Sequence, residues 1–115
     1  MKIYHEMKLH HSPFEKIKSG TKTIELRLLD EKRRKIKAGD TIAFTDTETG
    51  ERLCAEVIAL HRFASFKELY GALPLTSCGY TEDELLTALP SDMEKYYSVS
   101  DQEKYGVVGI ELALL

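Results

Sequence analysis

The sequence predicts an α+β domain, a small β-barrel or half-barrel flanked by short helices. Three features lead there: period-two segments open and close the chain, three more strands follow a first short helix, and helix-start signals cluster in the second half. With 115 residues the chain supports one domain, 1–115, with a single core and a large surface for its volume. Strands supplied from both ends of so short a chain are accommodated by curling the sheet, with helices outside it.

Residues 2–9 alternate loosely and form the first strand, with Ile3 facing inward. Ser12-Pro13, with Glu15 behind them, opens a helix. Pro13 suits its first position, where a missing N–H leaves nothing unpaired, and Phe14 and Ile17 form the buried stripe. Gly20 stands where a helix end wants a residue that tolerates positive φ. Residues 21–29 then switch to period two, so Ile24, Leu26 and Leu28 share one face while Thr23, Glu25 and Arg27 share the other. Residues 30–37 make a basic turn or short helix, and Ala38-Gly39-Asp40 turns into a third strand at 41–45. A Gly-containing hairpin loop at 48–51 leads to a long fourth strand, 52–63. Ser65 with Glu68 reads as a capping box for a helix at 66–72, and Thr81 with Glu84 for another at 82–89, stopped by Pro90. Residues 91–97 add a short helix and 98–104 a polar loop. The apolar run at 107–115 is a buried closing strand.

A hydrophobic share of 43% and a charged share of 30% are ordinary for a globular domain. No stretch approaches the roughly 18 apolar residues of a membrane span. The first residues, Met1-Lys2-Ile3-Tyr4-His5-Glu6, lack the apolar core of a secretory signal, so a cytoplasmic location is expected. Cys54 and Cys78 share no metal-ligand spacing and are expected as reduced thiols, Cys54 in the core and Cys78 in a more exposed loop. His10 and His11 end the first strand without the spacing or the carboxylate pair of a zinc site, and His61 reads as a structural histidine. No metal or cofactor is expected. The net charge of −3 conceals a division. Residues 1–37 hold eleven Lys or Arg against five acids, a surplus of +6, and the remainder holds five against fourteen, a deficit of −9. A positive lobe of this kind suits phosphate or nucleic acid, or neutralises the other half of the chain.

The densest chemistry lies in Gly20-Thr21-Lys22-Thr23-Ile24-Glu25-Leu26-Arg27. Glu25 and Arg27 emerge side by side with Lys22 at the strand's mouth, beside a helix end. Such a group can grip a polar or anionic ligand, Arg as a bidentate fork and Lys as a point charge. Glu25 would accept from an exocyclic amine or hold the Arg in place; the bland reading is a surface ion pair of at most ~1 kcal/mol. Tyrosines flank the later segments, and Tyr97 and Tyr105 are the first candidates to stack a base, with Ser98 and Gln102 beside them as hydrogen-bonding groups. Half-buried rims are the commoner use of such rings.

This octapeptide resembles the GxKxxExR signature of the ASCH (activating-signal-cointegrator homology) domains. Ile36-Lys37-Ala38-Gly39-Asp40-Thr41-Ile42-Ala43-Phe44 and Tyr105-Gly106-Val107-Val108-Gly109-Ile110 are similar to that family's entry to the next strand and to its last strand. The resemblance implies a small barrel related to the PUA RNA-binding domains. It also implies a cleft between barrel and first helix that takes RNA or a nucleotide-like ligand. Lys22, Glu25 and Arg27 would form its floor and Lys32, Arg33, Arg34 and Lys35 its electrostatic rim. Some members of that family look like enzymes, among them the small acetylcytidine amidohydrolases, which use a lysine, a threonine and a glutamate. Lys22 matches the lysine, Glu25 stands at the threonine position, and the glutamate position falls near Cys78 or Gly79, with no glutamate before Glu82. The alternative function is therefore a small hydrolase of a modified nucleoside or an RNA phosphodiester, with Lys22 and Glu25 as its acid–base pair. A second alternative is a protein-interaction module meeting an acidic partner.

Overall fold

A computed structural model of the chain describes residues 2–115. Its five strands are β1 (Tyr4–Leu9), β2 (Ile24–Leu28), β3 (Thr41–Asp46), β4 (Arg52–Phe63) and β5 (Val107–Leu114), joined in one sheet in the order β1-β3-β4-β5-β2. β1 runs parallel to β3, and every other pairing is antiparallel. The register of β4 against β5 shifts between Val57 and Ala59, a local irregularity of the kind that bends a strand. The two edge strands approach each other without pairing, and Arg27 Nη2 donates across the gap to the Lys8 carbonyl at 2.8 Å. The sheet is thus a curled half-barrel with a seam, the α+β architecture that the sequence predicts and the small PUA-like barrel that the resemblance implies.

Helix α1 (His11–Lys18) carries the chain from β1 to β2, and its Phe14 and Ile17 are buried. They join Met7, Leu9, Ile42, Phe44, Val108 and Ile110 in the core within the curl. The outer face of β2 makes a second core, where Ile24, Leu26 and Leu28 pack against Phe66 and Leu69 of α3 (Phe66–Ala72), with Cys78 and Val107. Each such side chain contributes about 1.5–3 kcal/mol by leaving water. Glu25 pairs with Ile110 and Arg27 with Val108 in the β2–β5 ladder, and directly opposed residues share a face. The aliphatic face of β2 therefore meets the helical layer, and its ionic face turns inward at the seam.

Several elements differ from expectation. Helix α1 begins at His11, with His10 before it making no side-chain cap, so Pro13 falls within the first turn, where helix N–H groups lack intrahelical partners anyway. Ile3 is exposed. The basic segment folds as α2 (Glu31–Arg34), started by Asp30, whose side chain accepts from the Arg33 amide. Residues 82–89 give only a 3-10 turn, Glu84–Leu86. The capping box does form, with Thr81 and Glu84 exchanging bonds of 2.8 and 3.2 Å. Leu86 and Leu89 stay exposed, and a helix without a buried face has little to extend it. Residues 91–97 give a 3-10 helix, Pro90–Lys95. The stretch expected as a polar loop is α4 (Val99–Tyr105), capped by Ser98, which accepts from the Asp101 amide at 3.1 Å. Cys78 is buried rather than exposed, and Cys54 is only half-buried.

The turn into β3 depends on Asp40. Its carboxylate accepts from the Ile3 and Lys37 amides, both at 3.0 Å, and meets His5 Nε2 at 2.9 Å. The His5 hydrogen bond and these amides hold its carboxyl down to about 2, against the opposing effect of burial. A carboxyl depressed in the folded state stabilises above the ordinary carboxylate range. This contribution is lost as pH falls from about 4 towards 2. Urea midpoints measured across that window should drop steeply for the wild type and more shallowly for Asp40→Asn, which at neutral pH should be less stable by about 2 kcal/mol.

Candidate functional site

The end of α1 sets the geometry of the site. Gly20 adopts φ 85°, and the Ser19 and Thr21 hydroxyls donate to the Lys16 carbonyl at 3.2 Å each. The Lys22 amide donates to the same carbonyl at 3.0 Å. This reversal puts Lys22 at the head of β2. The Thr23 and Ile24 amides then both donate to the Ser77 carbonyl, at 2.8 and 3.0 Å, tying the strand to the loop that faces it.

Glu25 lies between two cations. Lys22 Nζ is 2.8 Å from its Oε1, while Arg27 Nε and Nη2 reach its Oε2 at 2.9 and 2.8 Å. The three side chains are 5%, 10% and 14% exposed in the order Glu25, Lys22, Arg27, so this is a buried triad and not a surface pair. Burial alone would push the Glu25 carboxyl up, but the adjacent Lys22 and Arg27 charges outweigh it and hold the group below the usual carboxylate range. Burial likewise lowers the Arg27 value; Glu25, followed by Tyr97, more than reverses that, and the guanidinium is held above its ordinary value. Both carboxylate oxygens are engaged, and the assembly carries one net positive charge.

Above the triad opens a cleft of about 730 Å³, a size that suits a small ligand. Lys8 and Lys16 stand on the side of β1 and α1; Cys78, Gly79, Tyr80, Asp92, Lys95, Tyr96 and Tyr97 form the other side. That second wall is cross-linked: the Tyr70 and Tyr80 hydroxyls are 2.6 Å apart, and Tyr80 donates to Asp92 Oδ2 at 2.9 Å. Lys16 Nζ donates across to the Gly79 carbonyl at 2.7 Å. Tyr97 is backed by Phe66, with ring centroids 6.0 Å apart and near-parallel planes, while Tyr96 is exposed with Lys95 Nζ 5.1 Å from its ring centre.

Lys22, Glu25, Arg27 and Tyr97 thus share the cleft, and other expected residues do not. Lys32, Arg33, Arg34 and Lys35 do not line it, because Arg33 is held by Asp30 at 2.8 Å and Arg34 donates to the Tyr105 carbonyl at 2.8 Å. Tyr105 packs into the second core, and Ser98 is a helix cap. His61 pairs with Glu111 at 2.9 Å. Burial pushes the Cys78 thiol up to about 11, with Lys22 acting against that rise, which keeps it protonated and unreactive at neutral pH. Sequence reading missed Lys8, Lys16, Lys95 and Asp92. Ser12 and Lys16, four residues apart, carried a usable signal, since that spacing puts them on one helix face, away from Phe14.

Two substitutions test the triad. Glu25→Gln keeps the shape but leaves two nearly buried cations without a counter-charge, and urea unfolding at neutral pH should show a loss of about 3 kcal/mol or more. Gly79 adopts φ 107°, and a Cβ there would lie 3.1 Å from Lys22 Cδ. Gly79→Ala should lower stability by about 1–3 kcal/mol, read as a reduced Tm.

The ASCH domain model matches residues 7–115. No curated protein matches the chain. The crystal structure of hypothetical protein PH0355 is 36% identical, with 97% of this chain and 99% of that one covered at a TM-score of 0.81. The solution structure of protein PF0455 from Pyrococcus furiosus is also 36% identical, with 97% of each chain covered and a TM-score of 0.71. ASCH from Zymomonas mobilis has the same fold at 16% identity, with 94% of this chain and 65% of that one covered and a TM-score of 0.63. Among the described residues no helix is long and apolar enough to cross a membrane. By its matched span, its motif and its half-barrel, the chain belongs to the ASCH domain family.

Proposed function

We propose that the cleft binds RNA or a nucleotide-like ligand, with phosphate drawn to Lys22 and Arg27 and a base lying against the tyrosine wall. The observation that carries this reading is the pair of cations fixed by a buried carboxylate at the floor of a cleft walled by aromatic rings. A guanidinium and an ammonium already oriented by Glu25 lose little freedom when an anion arrives. Lys8, Lys16 and Lys95 extend the positive field around the opening, while Tyr96, the exposed ring, offers a face on which any base can stack. The general association of ASCH domains with RNA supports the same reading.

The hydrolase alternative fits less well. A general base works best with a pKa near the operating pH, whereas Glu25 is held low with both oxygens engaged. Cys78, the thiol that lines the cleft, is buried and protonated. Glu25 is better suited to positioning Lys22 and Arg27 than to moving a proton.

Binding of short fluorescent single-stranded RNAs and of mononucleotides, titrated across salt concentrations, tests the proposal. The logarithm of affinity should fall linearly with the logarithm of salt, by about 0.7 per phosphate contact. Lys95→Ala and Lys8→Ala should each flatten that slope, and Tyr96→Leu should weaken binding by about 1–3 kcal/mol with the slope unchanged. Indifference to every RNA and nucleotide would sink the reading in favour of a protein-interaction module; turnover abolished by Lys22→Ala would replace it with the hydrolase.

A further inference from the structure

Where β3 ends and α1 begins, the fold gathers a second polar cluster that the cleft does not use. His11 and Glu15 are one helical turn apart on α1, a spacing that puts both side chains on one face. Asp46, the last residue of β3, is fully buried. Its Oδ1 accepts from the Glu48 and Thr49 amides at 2.8 and 3.3 Å, and its Oδ2 lies 2.7 Å from His11 Nδ1. One ligand atom from each of His11, Glu15 and Asp46 lies within 4.8 Å of the others. Glu48 adds a fourth donor, its Oε2 being 3.9 Å from the same ring nitrogen.

Charge sets this cluster apart from an ordinary surface ion pair. Three carboxylates surround one imidazole. Among the described residues no Lys or Arg forms an ion pair with any of them, the nearby Lys18 being paired with Glu51 at 2.6 Å. Half of the arrangement is rigid, because the turn amides fix the Asp46 carboxylate and aim Oδ2 at His11. The other half can adjust, since Glu48 is exposed and Glu15 half-buried on a helix surface. An ion coordinated at about 2.0–2.2 Å by nitrogen and oxygen needs ligand atoms roughly 3–3.5 Å apart. The His11–Asp46 pair, at 2.7 Å, is close to that already, and Glu48 Oε2 is 3.9 Å from the same nitrogen.

We propose that His11, Glu15, Asp46 and Glu48 form a binding site for one divalent transition-metal ion of the zinc class. The imidazole selects this class over magnesium and calcium, which favour all-oxygen sites. The amides of Glu48 and Thr49 act as the outer support that holds a ligating carboxylate in place. The ion joins the first turn of α1 to the β3–β4 hairpin.

The test uses the full, untagged chain freed of metal with a chelator and titrated with Zn²⁺, Mg²⁺ and Ca²⁺ by calorimetry, with Tm followed in parallel. One saturating Zn²⁺ equivalent that raises the Tm, with Mg²⁺ and Ca²⁺ at least about tenfold weaker, is the expected result. Glu15→Gln and His11→Gln should each weaken Zn²⁺ by about tenfold or more, and His10→Gln and His61→Gln should leave it unchanged. Glu15→Gln keeps the test valid if loss of the Asp46 partner destabilises His11→Gln, because among the described residues the Glu15 side chain makes no hydrogen bond or ion pair to a buried group. No saturable Zn²⁺ binding up to about millimolar concentration, or an affinity untouched by Glu15→Gln, overturns the proposal.

Discussion

The site depends on one carboxylate. Glu25 stands on a strand whose other face is committed to hydrophobic burial, so its own face must point into the curl of the sheet. A charge there is costly unless it is paired and hydrogen-bonded on both oxygens, and Lys22 and Arg27 meet that demand. The same contacts limit where the two cations can go. Arg27 is further fixed by its bond to the Lys8 carbonyl, which occupies an acceptor on the unpaired edge of β1 and links the two sides of the seam. The arrangement is therefore less a source of stability than a device for positioning. Buried ion pairs are often replaceable by hydrophobic residues without loss, and what such a replacement would remove here is the orientation of two donors towards a common space.

The opposite wall is built differently. It has no strand, only turns and short 3-10 segments, and its rigidity comes from side chains. Tyr70, Tyr80 and Asp92 form one hydrogen-bonded chain, and Asp92 Oδ2 also accepts from the Leu89 amide at 3.1 Å. Burial, with the Tyr70 and Asp92 hydrogen bonds, pushes the Tyr80 phenol well above its ordinary value, so it stays a neutral donor across physiological pH. Gly79 then lets the loop approach the Lys22 stem closely. The cleft thus has one wall held by a backbone ladder and the other by side-chain hydrogen bonds.

How much of this was legible in the sequence follows from the range of the forces involved. The alternation in residues 21–29 placed Glu25 and Arg27 on one face, and Gly20, Asp40 and the Ser65–Glu68 capping box were visible as local signals. The failures were of two kinds. Residues 99–105 carry almost no apolar stripe, only Gln102 being buried, so periodicity was silent where a cap and tertiary packing make the helix. The second kind concerns partners distant in sequence. The charge of Lys32 to Lys35 was plain, but not that Asp30 and the Tyr105 carbonyl would hold two of them away from the cleft. Nor could spacing show that His11 would meet Asp46, thirty-five positions away, because the parallel β1–β3 register that joins them is a property of the whole sheet.

The strand that bears Glu25 and Arg27 has a single partner in the sheet, β5, and that ladder joins residues 24–28 to 107–111. Bringing such remote segments together costs chain entropy before any contact between them can offset it. During synthesis the strand that carries the motif consequently has no sheet partner until the closing strand has emerged. Without residues 107–111 that strand has no partner in the sheet, and both cores lose the side chains that β5 supplies.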